Sequence, residues 1–430
     1  QGLLNRFLLS NPALEGVGTV VFDEFHERSL AADIGLGAVR TLQERDRNDL
    51  RILVMSATLQ TRAVCAYLGD CPALDVPGRL HPVETDYLSR RGRTPVWDLA
   101  AEAVSGILRE GRPGDILVFM PGAYTIRRTA ECLRRMRTDE PLAVLPLYGS
   151  LPPAEQHRVM EAADSRKVVV ATNIAETSLT IPGVRHVVDS GLAKIHRYDA
   201  ARGFNLLYEE PISRQSAEQR AGRAGREAPG TCRRLWTLAE QNGRPAHGDP
   251  EVLRLDLAEA VLEIKALGFP NPAAFPWFTE PEPARLSEAV ALLEDLGIAE
   301  RQNGRLTDLG KRCAAFPLHP RLSRLLIRGS ACGCLEDAAD IAAIVSERPL
   351  AAGSARQRRR QGREQRRQRK QARRESDHLP SDFFVRIDWL QTAAENRFHV
   401  PACRDLGIHA GAAREVWRAE VLHTESVEGL

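Results

Sequence analysis

The amino-acid sequence predicts an α/β protein with parallel sheets in its first three hundred residues, followed by a mainly helical region. Two observations support this. In the first part, short β-rich runs alternate with helical patterns, as they do in proteins with parallel sheets. Polar or turn residues follow each run where it ends, and ligands of open α/β sheets bind just beyond the carboxyl ends of the strands.

Two groups of strands are predicted. In the first group, Val17–Phe22 is followed by Asp23-Glu24, and Ile52–Met55 is followed by Ser56-Ala57-Thr58. The strands of the second group and the residues that follow them are Asp115–Met120 with Pro121-Gly122, Leu142–Leu147 with Tyr148-Gly149-Ser150, Lys167–Ala171 with Thr172-Asn173, and Val184–Asp189. Residues 191–210 predict a β-hairpin with strands at 195–198 and 204–208.

Beyond about residue 250 the spacing of apolar residues predicts helices. Glu251–Leu267 has a helical apolar stripe that is stopped by Gly268, and Leu286–Leu296 predicts a second amphipathic helix. Ile298–Leu306 predicts a small β-wing, so helix, helix and wing together predict a winged-helix unit. Residues 313–349 are predicted to be helical again.

Length and composition predict several domains and no membrane span. A chain of 430 residues is too long for one core, and its hydrophobic fraction of 43% is ordinary for globular protein. No apolar run approaches the ~20 residues that span a bilayer. The eight cysteines form no C-x-x-C pair and no zinc pattern, which predicts free thiols and a cytoplasmic location.

The charge is unevenly distributed. Residues 354–374 carry a net charge of +10, whereas the whole chain carries +2, so the remainder is acidic at −8. Such a basic arm binds polyanions, and we expect it to raise nucleic-acid affinity without sequence preference. A solvated helix and a disordered loop are both compatible with its composition, and a loop without function is the alternative.

Three segments carry residues suited to phosphate chemistry. In Asp23-Glu24-Phe25-His26, one carboxylate can hold Mg²⁺ through water and the next can deprotonate an attacking water. The hydroxyls of Ser56-Ala57-Thr58 can relay the state of that site. In Thr172–Ser178, small polar groups suit phosphate and sugar contacts. Each has a structural alternative, namely helix N-caps for the first two and a polar loop for the third.

The segment Gln219–Arg226 is the most informative. If it is helical, Gln219, Arg223 and Arg226 share one face, and two guanidiniums there can stabilise a phosphoryl transition state. Its two glycines would each cost about 1 kcal/mol in a helix, which a close approach of the backbone to another domain or a phosphate would explain. A solvated basic helix is the alternative.

Taken in order, four segments resemble motifs II, III, V and VI of superfamily 2 helicases of the DEAH/RHA group: Asp23–His26, Ser56–Thr58, Thr172–Ile181 and Gln219–Arg226. Phe25, Leu147–Gln156 and Leu406–Arg414 resemble the bacterial HrpB-type branch. The resemblance implies tandem RecA-like lobes, the first one incomplete, followed by a winged-helix unit and a mainly helical ratchet-like domain. The implied boundaries are 1–78, 79–248, 249–312 and 313–430, with a basic insert at 351–380.

The resemblance implies an ATP-dependent helicase that uses Mg²⁺ and moves 3′-to-5′ on RNA, or on single-stranded DNA. Asp23 would hold Mg²⁺ and Glu24 would activate water, while His26, Ser56 and Thr58 would couple hydrolysis to motion. The implied ATP contacts are Ser178, Gln219, Arg223 and Arg226. The implied RNA contacts are Gly2, Arg6, Gly122, Ser150, Thr172 and Thr177, and the hairpin at 191–210 would separate strands.

Some features depart from the family pattern. The sequence contains no G-x-x-x-x-G-K-[ST] loop, so we expect this chain alone to bind ATP poorly and to lack the first third of its first lobe. Pro182 stands where relatives often carry an acidic residue, and the C-terminal domain of HrpB-type proteins is also expected to be absent. The alternative function is a non-catalytic nucleic-acid-binding or scaffolding protein.

Overall fold

The computed structural model describes residues 2–57, 61–69, 71–76, 78, 81–90, 92–138, 140–177, 179–201, 203–346 and 382–428. Thr58, Ser178 and the basic segment 354–374 therefore lie outside the described residues. The chain forms two compact units, one of Gln1–Asp256 with Pro276–Glu282 and one of Leu257–Phe275 with Pro283–Leu430. The four domain boundaries expected from the sequence stay predictions.

The first unit begins with a small α/β part. It contains α1 (Gly2–Ser10), β1 (Thr19–Phe22), α2 (Leu30–Arg45), β2 (Arg51–Val54) and α3 (Thr61–Tyr67). The two strands pair in parallel, with Phe22 opposite Val54, which confirms the first predicted group of strands. Helix α2 begins after Ser29, whose side chain accepts a hydrogen bond from the Ala32 amide as an N-cap.

The rest of the first unit is built on a larger sheet. Its elements are β3 (Val83–Leu88), α4 (Val96–Arg109), β4 (Asp115–Phe119), α5 (Ala123–Arg135), β5 (Leu142–Leu147), α6 (Pro153–His157), β6 (Arg166–Ala171), β7 (Val184–Asp189), β8 (Leu192–Asp199), β9 (Phe204–Pro211), α7 (Arg214–Gly222), β10 (Gly230–Thr237), α8 (Leu238–Gly243) and α9 (Glu251–Arg254). Six strands pair in the order β3-β10-β7-β4-β6-β5, and every pairing is parallel.

Both faces of this sheet are buried, as parallel sheets require. Leu117 and Phe119 of β4 belong to the core on one face, whereas Ile116 and Val118 belong to the core on the other. The predicted strands β4 to β7 are confirmed. Strands β3 and β10 were not predicted; β3 is half-exposed and lacks a continuous apolar run. Strands β8 and β9 form the predicted antiparallel hairpin, with longer strands than expected.

The second unit is helical. It contains α10 (Ala258–Ala266), α11 (Pro283–Asp295), α12 (Asp308–Ala314), α13 (Pro320–Ala331), α14 (Leu335–Ser346), α15 (Asp382–Glu395), α16 (Val400–Asp405) and α17 (Ala410–Glu428). One core of this unit lies between α14, α15 and α17, around Ile344, Leu390 and Val416. In the described part of the chain, no helix combines the length and the apolar character that crossing a membrane requires.

One local prediction in this region is wrong. The single helix expected over 251–267 is broken, because Leu255 is extended and the Asp256 amide donates to Asn205 Oδ1 at 2.7 Å. The small β-wing expected over Ile298–Leu306 is present as an antiparallel bridge between Ala299 and Leu306. The turn between these two residues contains Gly304 at φ +69°.

Candidate functional site

The Asp23–Glu24 pair lies directly after β1, where the sequence placed it. Asp23 is exposed, and its Oδ1 accepts a hydrogen bond from the Glu24 amide at 2.8 Å. Glu24 has φ 52°, in the left-handed region, and precedes a short 3₁₀ helix at Phe25–Glu27. Its carboxylate is 40% exposed, so it can meet a substrate from solvent.

The residues that follow β2 are hydrogen-bonded to this turn. The Phe25 amide donates to the Met55 carbonyl at 3.0 Å, and the Ala57 amide donates to His26 Nδ1 at 3.3 Å. The same nitrogen lies 3.4 Å from Glu24 Oε2. Because Nδ1 accepts from Ala57 only without a proton and donates to Glu24 only with one, the two contacts exclude each other. The contact between His26 and Ala57, which follows the exposed Ser56, therefore depends on which of the two imidazole nitrogens carries the proton.

Helix α1 presents Gly2 and Arg6 outward. Both residues are exposed, and their spacing of four places them on one helix face. Asn5 of the same helix is fully buried, and its side-chain amide donates to the Ala31 carbonyl at 3.0 Å. A Cβ on Gly35 would lie 2.7 Å from Asn5 Oδ1, so this glycine permits the close packing of α1 on α2.

The carboxyl edge of the six-stranded sheet brings together Gly122, Ser150 and Thr172, which follow β4, β5 and β6. The Thr172 amide donates to the Leu147 carbonyl at 3.1 Å, so the ends of β5 and β6 are level. Lys194 of β8 was missed by the sequence analysis. A Cβ on Gly122 would lie 2.9 Å from its Cε, which places an exposed cation beside a predicted RNA contact.

Thr177 links the two α/β parts of the first unit. Its hydroxyl donates to Glu27 Oε1 at 2.6 Å, so the loop after β6 touches the turn after β1. Thr177 was predicted as an RNA contact, and Glu27 was not among the predicted site residues. Nothing in the spacing indicated this pair, because the two residues are 150 positions apart.

The arginine segment is not one helix, so the predicted common helical face is wrong. Helix α7 ends at Gly222, and Arg223–Gly225 forms a 3₁₀ turn. Gln219 is half-buried near the end of α7. Arg223 is buried and donates to the Leu179 carbonyl at 2.9 Å and to the Glu176 carbonyl. Arg226 is exposed and donates to the Thr180 hydroxyl.

The electrostatics of Arg223 connect it with the acidic turn. Burial lowers the pKa of Arg223 to about 10, and the neighbouring charge of Arg226 acts in the same direction. The carboxylates of Glu176 and Glu24 oppose that shift. With a pKa of about 10, the guanidinium stays charged at neutral pH.

A buried ion-pair network at Arg220 was also missed. Arg220 is 1% exposed; its Nε donates to Glu176 Oε2 at 2.8 Å and its Nη1 to Asp189 Oδ1 at 2.9 Å. Burial acts to lower the pKa of Arg220, but Asp189 and Glu176 together raise it. The guanidinium also lies 4.8 Å from the ring centroid of Phe119. It joins α7, the end of β7 and the loop after β6.

The two glycines of the arginine segment differ in their surroundings, and this leads to a first prediction. A Cβ on Gly225 would lie 2.5 Å from the His81 carbonyl oxygen, whereas one on Gly222 would meet nothing within 4 Å. Gly225→Ala is therefore expected to lower the free energy of unfolding by about 1–3 kcal/mol. Gly222→Ala, the matched control, should leave it unchanged or raise it by up to about 1 kcal/mol. Urea unfolding of both variants measures this, and equal effects would contradict it.

The residues present could hold a magnesium ion only if the ion kept several of its water ligands. Among the described residues, no group of three or more His, Cys, Asp or Glu side chains could hold a metal. Mg²⁺ in nucleotide sites keeps several waters and needs one or two carboxylates besides the phosphates, so the exposed Asp23 is a suitable ligand. All eight cysteines are free thiols.

Comparison with known proteins agrees with this arrangement. Residues 100–228 match the helicase conserved C-terminal domain, and residues 319–380 match the ratchet-like helicase associated domain HA2. The chain is 37% identical over 364 residues to the ATP-dependent RNA helicase HrpA of Escherichia coli, covering 81% of this chain and 28% of that protein. It is 38% identical to HrpB of the same organism, covering 81% of this chain and 43% of that protein.

Other relatives extend the match. The pre-mRNA-splicing factor prp22 of Schizosaccharomyces pombe, named as an ATP-dependent RNA helicase, is 38% identical over 389 residues, covering 88% of this chain and 33% of that protein. The crystal structure of the Escherichia coli DEAH/RHA helicase HrpB superposes with a TM-score of 0.74 at 38% identity, covering 82% of this chain and 45% of that one. The chain thus spans less than half the length of these relatives.

Fold and site together define a RecA-like α/β protein with an attached helical, ratchet-like domain. Its sequence and structure place the chain among the homologues of DEAH/RHA-type superfamily 2 helicases. The resemblance expected from the sequence motifs and the predicted fold class are confirmed. The roles of the individual site residues stay predictions.

Proposed function

We propose that the protein containing this chain is an ATP-dependent RNA helicase. The observation that carries the proposal is the contact between the acidic turn and the loop after β6: the Thr177 hydroxyl donates to Glu27 at 2.6 Å, and Arg223 donates to the carbonyl of the preceding Glu176. An acidic turn and an arginine that are joined in this way from two α/β parts are suited to a phosphoanhydride bound beside them. The relatives named as ATP-dependent RNA helicases support RNA as the substrate class.

In this proposal each site residue has one task. Asp23 would hold Mg²⁺ through water, and Mg²⁺ would supply charge neutralisation at the phosphates. Glu24 would orient and deprotonate the attacking water. Arg223 and Arg226 would stabilise the charge of the transition state, with Gln219 beside them. Ser178, which lies outside the described residues, keeps its predicted ATP contact.

Movement along RNA would follow from contacts that change between nucleotide states. His26 can bind Ala57 or Glu24 but not both through Nδ1, which gives the site a means of signalling its state. RNA would lie along Gly2, Arg6, Gly122, Ser150, Thr172 and Thr177, with Lys194 as an added phosphate contact. We propose the 3′-to-5′ direction, a cytoplasmic location and RNA, or single-stranded DNA, as the track.

The test is RNA-stimulated ATP hydrolysis by the product of the complete reading frame that contains this sequence. We expect turnover to rise when single-stranded RNA is added, and unwinding of duplexes with a 3′ overhang. Residues 1–430 alone are expected to bind ATP poorly, since their sequence has no G-x-x-x-x-G-K-[ST] loop. An RNA-binding but ATP-independent full product would favour the alternative, a non-catalytic nucleic-acid-binding or scaffolding protein.

The basic segment 354–374 gives a second prediction. Its net charge of +10 should neutralise RNA phosphates and release their counterions. Deleting it is expected to weaken RNA binding for all sequences alike and to reduce the slope of log K against log salt concentration. Fluorescence anisotropy with two unrelated RNAs at several salt concentrations measures both effects. An unchanged slope would reject a role in binding.

A further inference from the structure

The Asp23–Glu24 turn has a backbone that its own sequence does not stabilise. Glu24 and Arg28, on either side of the 3₁₀ helix, have φ values of 52° and 50°. Residues other than glycine keep this left-handed conformation only where the surrounding structure fixes it. The geometry of the predicted catalytic carboxylate therefore depends on groups that hold the turn from outside.

Arg28 supplies most of that support. It is 8% exposed, and its Nε and Nη2 bind the two oxygens of the fully buried Asp33 at 3.2 and 2.8 Å. Nη2 also donates to the Thr279 hydroxyl at 2.8 Å, and the guanidinium carbon lies 4.4 Å from the ring centroid of Phe278. Besides α2, the side chain of Arg28 therefore contacts a segment about 250 residues further along the chain.

Phe278 fills the space between the turn and α3. Its ring packs edge-to-face with Phe25, with centroids 5.4 Å apart, and edge-to-face with Tyr67 at 5.2 Å. The Tyr67 hydroxyl donates to the Pro276 carbonyl, which fixes the same segment at a second point. Phe25 is 2% exposed and directly follows Glu24. Phe278 therefore contacts the residue next to the predicted base in the sequence.

The chain path makes this segment unusual. Residues Pro276–Glu282 belong to the first compact unit, while Leu257–Phe275 before them and Pro283–Leu430 after them form the second. A seven-residue stretch is thus anchored on the turn while both of its ends continue into the other unit. We call Pro276–Glu282 the clasp.

We propose that the clasp holds the Asp23–Glu24 turn in its hydrolytic geometry, with Phe278 as a positioning residue that acts through Phe25 and Arg28. The proposal rests on the proposed function, in which Glu24 activates water. Phe278 touches no reacting group, so its loss should misplace the base without removing a nucleotide contact. Positioning errors of this kind lower kcat, whereas lost ground-state binding raises KM.

The test compares Phe278→Ala and Phe278→Leu in the product of the complete reading frame. We expect kcat for RNA-stimulated ATP hydrolysis to fall about 10-fold to 100-fold in the alanine variant, with KM for ATP changed less than about twofold. The leucine variant, which keeps apolar bulk beneath Arg28, should lie between. Phe269→Ala is the matched control, because Phe269 is also half-buried and pairs edge-to-face with Phe275 at 5.0 Å in the second unit.

Hydrogen exchange of the same proteins separates the clasp from the proposed function. The Phe25 amide, bonded to the Met55 carbonyl, should exchange faster in both Phe278 variants and not in the Phe269 control. If the unmodified protein has no RNA-stimulated turnover, the proposed function fails, and exchange alone still decides whether the clasp holds the turn. Unchanged exchange, or unchanged kcat in an active protein, would overturn the clasp.

Discussion

Replacing Glu24 with glutamine is expected to lower ATP turnover by about 10²–10⁴-fold while leaving nucleotide affinity nearly unchanged. Glutamine keeps the size and the hydrogen-bonding reach of the side chain but cannot take a proton from water. The carboxylate is positioned for this task, since it is 40% exposed and 3.4 Å from His26 Nδ1. Turnover is measured with saturating RNA, and affinity with a fluorescent nucleotide, in the product of the complete reading frame.

Two further variants sharpen this result. Asp23→Asn should weaken the Mg²⁺ dependence of nucleotide binding, which Glu24→Gln should leave intact, so the two acidic residues can be distinguished. Glu15→Gln, an exposed carboxylate before β1, is the control for loss of a charge. Full turnover in the Glu24→Gln protein would show that Glu24 is not the base.

The parallel sheet and its functional edge could be predicted from the sequence for a simple physical reason. A central parallel strand is buried on both faces and reads as an apolar run, and the polar residues that follow it must lie at the carboxyl edge. Val184–Asp189 was predicted with the bounds that the structure has. Gly122, Ser150 and Thr172 were expected at one edge for the same reason, and they lie there.

The failures have physical causes that no local pattern contains. The apolar stripe over 251–267 continues through Leu257, but the amide of Asp256 is bonded to Asn205, and that tertiary contact ends the helix. In the arginine segment, Gly225 lies against the carbonyl of His81, which precedes β3, and Arg223–Gly225 forms a 3₁₀ turn instead of continuing α7. Because β3 was not predicted, the end of the helix at Gly222 could not be predicted either.

The ion-pair network of Arg220 was outside the reach of sequence reasoning for a related reason. Its two carboxylate partners are 31 and 44 residues away in the chain, and they become neighbours only when β6 and β7 pair with β4. In the sequence, Arg220 looked like one more cation in a basic segment. In the structure it is the least exposed arginine of that segment, and its charge is paired with those of Asp189 and Glu176 inside the protein.

Replacing Arg220 with methionine is expected to lower the free energy of unfolding by about 3–5 kcal/mol, because it leaves Asp189 and Glu176 without their cation in a buried site. Asp189 is fully buried, and its Oδ2 has no hydrogen-bond partner within the described part of the chain. Arg214→Met is the matched control, since Arg214 is exposed on the same helix and should change stability by less than about 0.5 kcal/mol. Urea unfolding followed by circular dichroism measures the difference.

A second substitution tests whether uncompensated charge is the cause. Adding Asp189→Asn to Arg220→Met should recover part of the lost stability, because the double variant has one buried charge fewer. If lost packing around the side chain were responsible, the two effects would add. Glu176 precedes Thr177, whose hydroxyl meets Glu27, so Arg220 also sets the position of a predicted RNA contact. Stimulation by RNA should therefore fall in Arg220→Met at temperatures where the protein is still folded, and a stimulation equal to that of the unmodified protein would restrict Arg220 to stability.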